Sequence, residues 1–196
     1  MALSGSFVFM IMDGGGIAIY NVFNALQPAF ITLLRPEYDF VELSADSNRL
    51  LARTSASELV VFGGPEFSEA LDVSGFYPRL LNVAITSIHM SSQFAFVGTA
   101  LGTVIVFESD FGSHVQTLST VLSGDVYQLS LTPVGTIACV LNSIVVFFEP
   151  SEQGVALWKE TPIIGSTQQS QSYTLQVGTS TTFTMSTVFQ AVLTLS

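Results

Sequence analysis

The side chains best equipped for nucleophilic, acid–base or metal chemistry are few: two histidines, His89 and His114, and one cysteine, Cys139. The histidines stand 25 residues apart with no cysteine cluster near either, which is not the ligand spacing of a zinc site. A serine or threonine nucleophile needs a positioned base, and neither histidine lies in a recognisable motif. Ser4-Gly5-Ser6 lacks the strand–turn–helix setting of a nucleophile elbow. Gly14, Gly15 and Gly16 lack the lysine and helix of a phosphate cradle, and they read instead as a hairpin turn that needs positive φ. Glu37/Asp39 and Glu108/Asp110 are spaced carboxylates without the dense oxygen pattern of a calcium loop. No catalytic residue, metal ligand or cofactor site is therefore assigned from these residues.

What remains is recognition chemistry. Glu66, Glu69 and Asp72 crowd one expected loop, 64–74, and Glu108 and Asp110 flank another. These five carboxylates are the candidate partner-binding residues, facing a basic or polar protein segment. The competing reading is that they only keep an apolar, lysine-poor chain in solution. Trp158, the one tryptophan, reads as a core residue, with an exposed partner anchor as the alternative.

Charge narrows the partner class. Five Lys+Arg face fifteen Asp+Glu in 196 residues, for a formal net charge of −10. Only Lys159 follows Arg79 among the cations. Binding to nucleic acid, which releases phosphate counterions to protein cations, is excluded as an expectation, and an anionic membrane surface would repel the chain. At 48% hydrophobic residues and a mean hydropathy of +0.56, the chain has ample material for a core. Its apolar runs are strand-length, well short of the ~20 residues of a spanning helix, and the N-terminus lacks the pattern of a signal peptide. Cys139 sits in an apolar strand with no intrachain disulfide partner, so a reducing, cytoplasmic setting is expected.

The elements that carry these residues repeat. VGTALGTVIVFE (97–108) is an extended run, a glycine turn, and a second run closing on an aromatic and an acid. GGIAIYN (15–21), SELVVFG (57–63) and SIVVFFE (143–149) repeat its second half. The closing aromatics Tyr20, Phe62, Phe107 and Phe147 are spaced 42, 45 and 40 residues apart. Val41, Ser87 and Gln128, one strand pair earlier in their repeats, follow at 46 and 41. Short strands at a period of roughly 40–45 residues predict four-stranded propeller blades, and the absence of helical periodicity makes the chain all-β. A β-sandwich is the alternative. On this phasing the aromatic-ended strands are fourth strands. Residues 7–12 and 17–21 are then the last two strands of a blade whose first two are missing, and 29–34, bracketed by Pro28 and Pro36, is a short inner strand of the next.

Two segments carry a resemblance. SADSNRLLARTSASELVVFG (44–63) and TPVGTIACVLNSIVVFFEP (132–150) resemble WD-repeat blades, the second with Pro133 and Gly135 in that family's Pro-x-Gly turn. The Trp-Asp pair is replaced by Tyr20-Asn21, Phe62-Gly63, Phe107-Glu108 and Phe147-Phe148, and no Gly-His pair opens a blade. The family's buried hydrogen-bond relay is therefore not expected, and blades should be held mainly by apolar packing. Residues 85–111 are similar to a blade of the lethal-giant-larvae/tomosyn group, which implies a scaffold that binds SNARE proteins in vesicle traffic.

The expectation is thus a β-propeller with about four recognisable four-stranded blades, as an incomplete ring or part of a larger one. Residues 1–160 are its WD-repeat-like blades, and the Ser/Thr/Gln-rich 161–196 a degenerate last blade or a tail. Function follows by class: a non-catalytic protein-interaction scaffold. The alternatives are a coat or pore subunit whose open ring accepts a strand donated by a partner, and an enzyme or small-ligand binder using the central channel. Direct membrane insertion is not expected.

Overall fold

The computed structural model describes residues 1–46, 48–64, 67, 69–72, 83–110, 113–142, 144–152, 157–166, 173–176 and 182–185. These are all-β. Four four-stranded sheets follow one another along the chain, each a simple meander with neighbouring strands antiparallel. Sheet I holds β1 (Ala2–Ser4), β2 (Phe7–Ile11), β3 (Ile17–Asn21) and β4 (Ala29–Leu34). Sheet II holds β5 (Phe40–Asp46), β6 (Arg49–Thr54), β7 (Leu59–Gly63) and β8 (Glu69–Asp72). Sheet III holds β9 (Ile85–Met90), β10 (Phe94–Thr99), β11 (Thr103–Glu108) and β12 (His114–Ser119). Sheet IV holds β13 (Gln128–Leu131), β14 (Ile137–Leu141), β15 (Ile144–Phe148) and β16 (Ile163–Ser166). Two further strands, β17 (Tyr173–Gln176) and β18 (Thr182–Met185), pair with each other as a hairpin. Among the described residues no helix is long and apolar enough to cross a membrane.

The repeat is real, but its phase differs from the sequence expectation. The aromatic-ended strands β3, β7, β11 and β15 are third strands, each paired on both edges. Sheet I therefore lacks nothing: β1 supplies its first strand, and residues 29–34 close it as β4 instead of opening the next sheet. A strand whose two edges both need hydrogen-bond partners recruits the next available segment, and β1, three residues long, is too short to show a period. Glu69 and Asp72 consequently begin and end a strand, β8, instead of lying in a solvent loop. In residues 161–196, 163–166 pair with β15 as the fourth strand of sheet IV, while 186–196 lie outside the described residues.

Packing follows from alternation. In the middle strands of each sheet one set of side chains faces the preceding sheet and the other the following one. Phe9, Ile17 and Ile19 of sheet I meet Phe40, Leu50, Ala52, Val60 and Phe62 of sheet II. Leu51, Leu59 and Val61 on the other side of sheet II meet Ile88, Val97, Ile105 and Phe107 of sheet III. Phe96, Val104 and Val106 on the far side of sheet III meet Leu129, Ile137, Cys139, Val146 and Phe148 of sheet IV. Burying one such phenylalanine is worth about 1.5–3 kcal/mol, against about 1 kcal/mol for a typical hydrogen bond. Apolar packing thus dominates these three interfaces, as the missing relay implies. Among the described residues no apolar cluster joins sheet IV to sheet I, so the four sheets form an open arc.

The glycine trio makes a turn. Gly15 and Gly16 have φ of 95° and 81°, and a Cβ on Gly16 would stand 2.8 Å from the Leu34 carbonyl oxygen. Those contacts lay the end of β4 and the β4–β5 link against the β2–β3 turn. Gly98, in the "VGT" of β10, has an ordinary φ but no space for a side chain. A Cβ there would overlap Ser87 Oγ and lie 2.8 Å from Val126 Cβ.

Candidate functional site

Three turns converge between sheets II and III. The β5–β6 turn brings Asp46, Asn48 and Arg49, and the β9–β10 turn brings residues 91–93. The end of β11 brings Glu108, Ser109 and Asp110. In an antiparallel meander the first-to-second and third-to-fourth connections leave a sheet at the same end, so these turns share one rim of the arc. Together they line an open cleft of about 620 Å³, with Phe94 as its one large apolar residue.

Ser109 is the linchpin of the cleft wall. Its backbone N–H donates to Gln93 O at 2.9 Å and its hydroxyl to Ser92 O at 3.1 Å, tying the two turns of sheet III together. The Arg49 guanidinium then donates to Ser109 Oγ at 2.6 Å, crossing from sheet II. Ser91 shapes its own turn: its N–H and hydroxyl both donate to Phe94 O, and its Oγ accepts from Phe94 N. The result is a polar wall with three carboxylates, Asp46, Glu108 and Asp110, around one guanidinium. Such a set attracts a cationic or hydrogen-bond-donating group. It has no histidine or thiol to act as base or nucleophile, and among the described residues no three His, Cys, Asp or Glu are grouped to hold a metal.

Of the five carboxylates predicted from sequence, Glu108 and Asp110 meet at the cleft. Glu69 and Asp72 belong to the ladder of β8, and Glu66 lies outside the described residues. Asp46 and Arg49 lie in the WD-repeat-like segment 44–63, to which the sequence assigns no site residue. The charge pattern DSNR was the available signal, but sequence alone does not carry it across 60 residues to Ser109.

The other chemically capable residues are structural. Trp158 is buried in the sheet III–IV cluster, edge-on to Phe94 and Phe96, and its indole N–H donates to Gly135 O at 2.8 Å. Gln116 clamps its backbone from both sides, donating to Trp158 O and accepting from Trp158 N. Burial pushes the Cys139 thiol up to about 12. His89 sits at the sheet III–IV seam, where its Nε2 accepts from Leu131 N at 3.3 Å. Burial holds its pKa below the ordinary 6.5, opposed by the charge of Asp46. His114 bonds Thr117 on its own strand at 2.9 Å and packs edge-on to Phe107.

No protein-family model matches the chain, and no curated protein does. Among solved structures it is similar to the β-propeller domain of Cps50 (Swd1) from Myceliophteria thermophila. The TM-score is 0.60 at 12% identity, over 77% of this chain and 52% of that one. The chain thus spans about half the length of that domain. At this identity the likeness is one of fold: the four sheets are propeller blades.

Proposed function

We propose that this protein is a non-catalytic protein-interaction scaffold whose cleft between sheets II and III receives a basic or polar segment of a partner protein. The observation that carries the reading is the three-carboxylate wall, braced across two blades by Arg49 and Ser109. Turns on a rigid all-β frame are free to bind because the strands are committed to pairing and inter-sheet packing. A lysine or arginine entering the cleft would meet a negative field, which speeds encounter and sets the register of docking. The similarity of 85–111 to lethal-giant-larvae blades makes vesicle traffic and SNARE regulation in the cytoplasm the pathway we favour.

Affinity purification with mass spectrometry tests this, comparing the wild type with Asp46→Asn/Glu108→Gln/Asp110→Asn. A partner captured by the wild type should be lost from the variant, and its association with the wild type should slow as salt rises. Equal capture by both proteins, with a salt-independent association rate, would show that these acids serve solubility only. SNARE proteins among the captured set would support the traffic assignment, and their absence from a confirmed set would remove it.

A further inference from the structure

The first strands of sheets II and III, β5 and β9, lie side by side. Alternate residues of β5 reach across in step: Glu42 Oε1 accepts from Ile88 N at 3.2 Å, and Ser44 Oγ from Met90 N at 2.8 Å. Asp46 is the next residue on that face, one step further along, where the 91–93 turn begins the wall of the cleft. His89 sits between the two anchored residues of β9 and serves the next sheet. Its Nε2 accepts from Leu131 N of β13 at 3.3 Å, and its ring packs on Phe96 with 6.0 Å between centroids. An Nε2 that accepts carries no proton, so the neutral ring is protonated at Nδ1. The group opposite is a backbone N–H, which offers no acceptor, so a proton on Nε2 forfeits the bond.

The elements packed against β9 are β5, β6, β10 and β13. Their charged side chains are Glu42 and Asp46 on β5 and Arg49 and Arg53 on β6; β10 and β13 carry none, and His89 is the one titratable group of β9. Glu42 is paired with Arg53 at 3.0 Å, and Arg49 is bonded to Ser109. Burial holds the His89 pKa below the ordinary 6.5, and the charge that opposes burial is that of Asp46. Asp46 thus acts in two places. It lines the cleft between sheets II and III, and its field reaches the ring that joins sheet III to sheet IV.

We propose that His89 and Asp46 make the cleft acid-sensitive: a neutral imidazole leaves the carboxylate wall free to hold a cationic group of the partner, and protonation of the ring in mild acid weakens that hold. The coupling rests on the reading of the cleft as a site for such a group. A cation seated beside Asp46 cancels the field that favours the ring's proton, so the proton leaves more easily. By reciprocity, a protonated ring weakens the cation's binding by the same factor. Near pH 7.5 the ring is neutral and the wall acts unopposed. As pH falls through the folded value, the imidazolium offsets Asp46 and releases the Leu131 N–H. A drop of about 0.5 in the His89 pKa on binding corresponds to an about three-fold weaker association in acid.

NMR titration of the two imidazole C2–H signals of the full chain, from about pH 7.5 to 5, reads the coupling, and His89→Gln assigns them. N-acetyl-arginine amide is the probe, with N-acetyl-glutamine amide as its neutral control. Asp46→Asn should lower the His89 pKa by about 0.3 or more, since the opposing charge is gone. The arginine probe should lower it in the wild type and leave it in place in Asp46→Asn. Carboxylate titration weakens probe binding in every variant, so the comparison is with His89→Gln: between pH 7.5 and 5 the wild type should lose about three-fold more affinity. Circular dichroism confirms each fold, and His89→Asn replaces His89→Gln if that variant does not fold. A His89 titration that Asp46→Asn leaves unchanged overturns the coupling while the cleft reading stands. A normal Asp46→Asn effect with no probe binding at any pH removes the cleft reading, and the coupling with it. Equal loss of affinity in the wild type and His89→Gln also overturns the proposal.

Discussion

Gly98→Ala would test whether the sheet III–IV seam is as closely packed as its geometry demands. A Cβ at residue 98 would overlap Ser87 Oγ, on the directly paired residue of β9, and stand 2.8 Å from both Cβ and Cγ1 of Val126. Ordinary contacts at Cβ begin near 3.4 Å, so Val126 must retreat by about half an ångström while Ser87 also gives way. Both neighbours are fully buried, which leaves no free volume to take up the movement. Overpacking of this kind costs about 2–3 kcal/mol, which for a chain of this size lowers Tm by roughly 4–12 °C. Ser87 offers an internal control, because its hydroxyl is buried with no hydrogen-bond partner among the described residues. Ser87→Ala should therefore stabilise the protein by about 1 kcal/mol, the lower end of the penalty for an orphaned polar group. In the Ser87→Ala background Gly98→Ala meets one obstacle fewer, and its cost should fall by about 1 kcal/mol, a coupling typical of residues in contact. Urea titration followed by circular dichroism and by Trp158 fluorescence reads all four corners of the cycle. Additive single changes, or a Gly98→Ala cost below about 0.5 kcal/mol, would refute the close-approach argument.

Three other outcomes follow from the same frame. Cys139, buried and with its thiol pushed up to about 12, should resist thiol reagents at pH 8 in the native protein and react at once in denaturant; fast native labelling would contradict its place in the core. His89 has a folded pKa below 6.5, so the unfolded chain binds more protons in that window and stability must fall as pH drops from about 6.5 towards the folded value, then level off. His89→Gln should flatten the drop in urea midpoint between pH 7.5 and 5.5, and an unchanged drop would assign it to other groups. Trp158→Phe keeps the ring contacts with Phe94 and Phe96 but loses the bond to Gly135 O, for an expected loss of about 1–2 kcal/mol by thermal melting; a loss near zero would show that this bond holds nothing.

The repeat was legible because the third strand of each sheet is largely buried. IAIYN, LVVFG, TVIVFE and IVVFF are therefore apolar nearly throughout, with a turn before each. The phase was not legible, because the fourth strands face a mixture of solvent and neighbours. HVQTLS in β12 is mostly half-buried or exposed, and its composition resembles a loop. Phe147 illustrates the limit of spacing. It fits the period of closing aromatics, yet Phe148 occupies the register of Phe62 and Phe107, and adjacent residues in a strand face opposite ways. The cleft was half legible. Glu108 and Asp110 announce themselves as acids beside a strand end, whereas Asp46 and Arg49 join them only through the packing of sheet II on sheet III.

The sequence also hid how the sheets are pinned to one another without the WD-repeat relay. The first strand of each sheet presents an edge whose N–H groups no other strand satisfies. Side chains of the preceding sheet's first strand reach across to it. Glu42 Oε1 accepts from Ile88 N at 3.2 Å and Ser44 Oγ from Met90 N at 2.8 Å, while Arg53 steadies the Glu42 carboxylate at 3.0 Å. At the next seam His89 accepts from Leu131 N, and Thr86 donates to Val126 O at 2.9 Å. The two seams thus do the same job with different chemistry. A serine hydroxyl keeps its lone pairs at every pH, whereas an imidazole that gains a proton loses the only one it offers. Mild acid should consequently loosen sheet IV from sheet III before it loosens sheet III from sheet II. Because Trp158 lies in the sheet III–IV cluster, its emission should report that order directly, shifting red at a higher pH than the loss of overall β-structure. Coincident transitions by the two probes would mean that the arc unfolds as one unit and that the seams are not separately titratable.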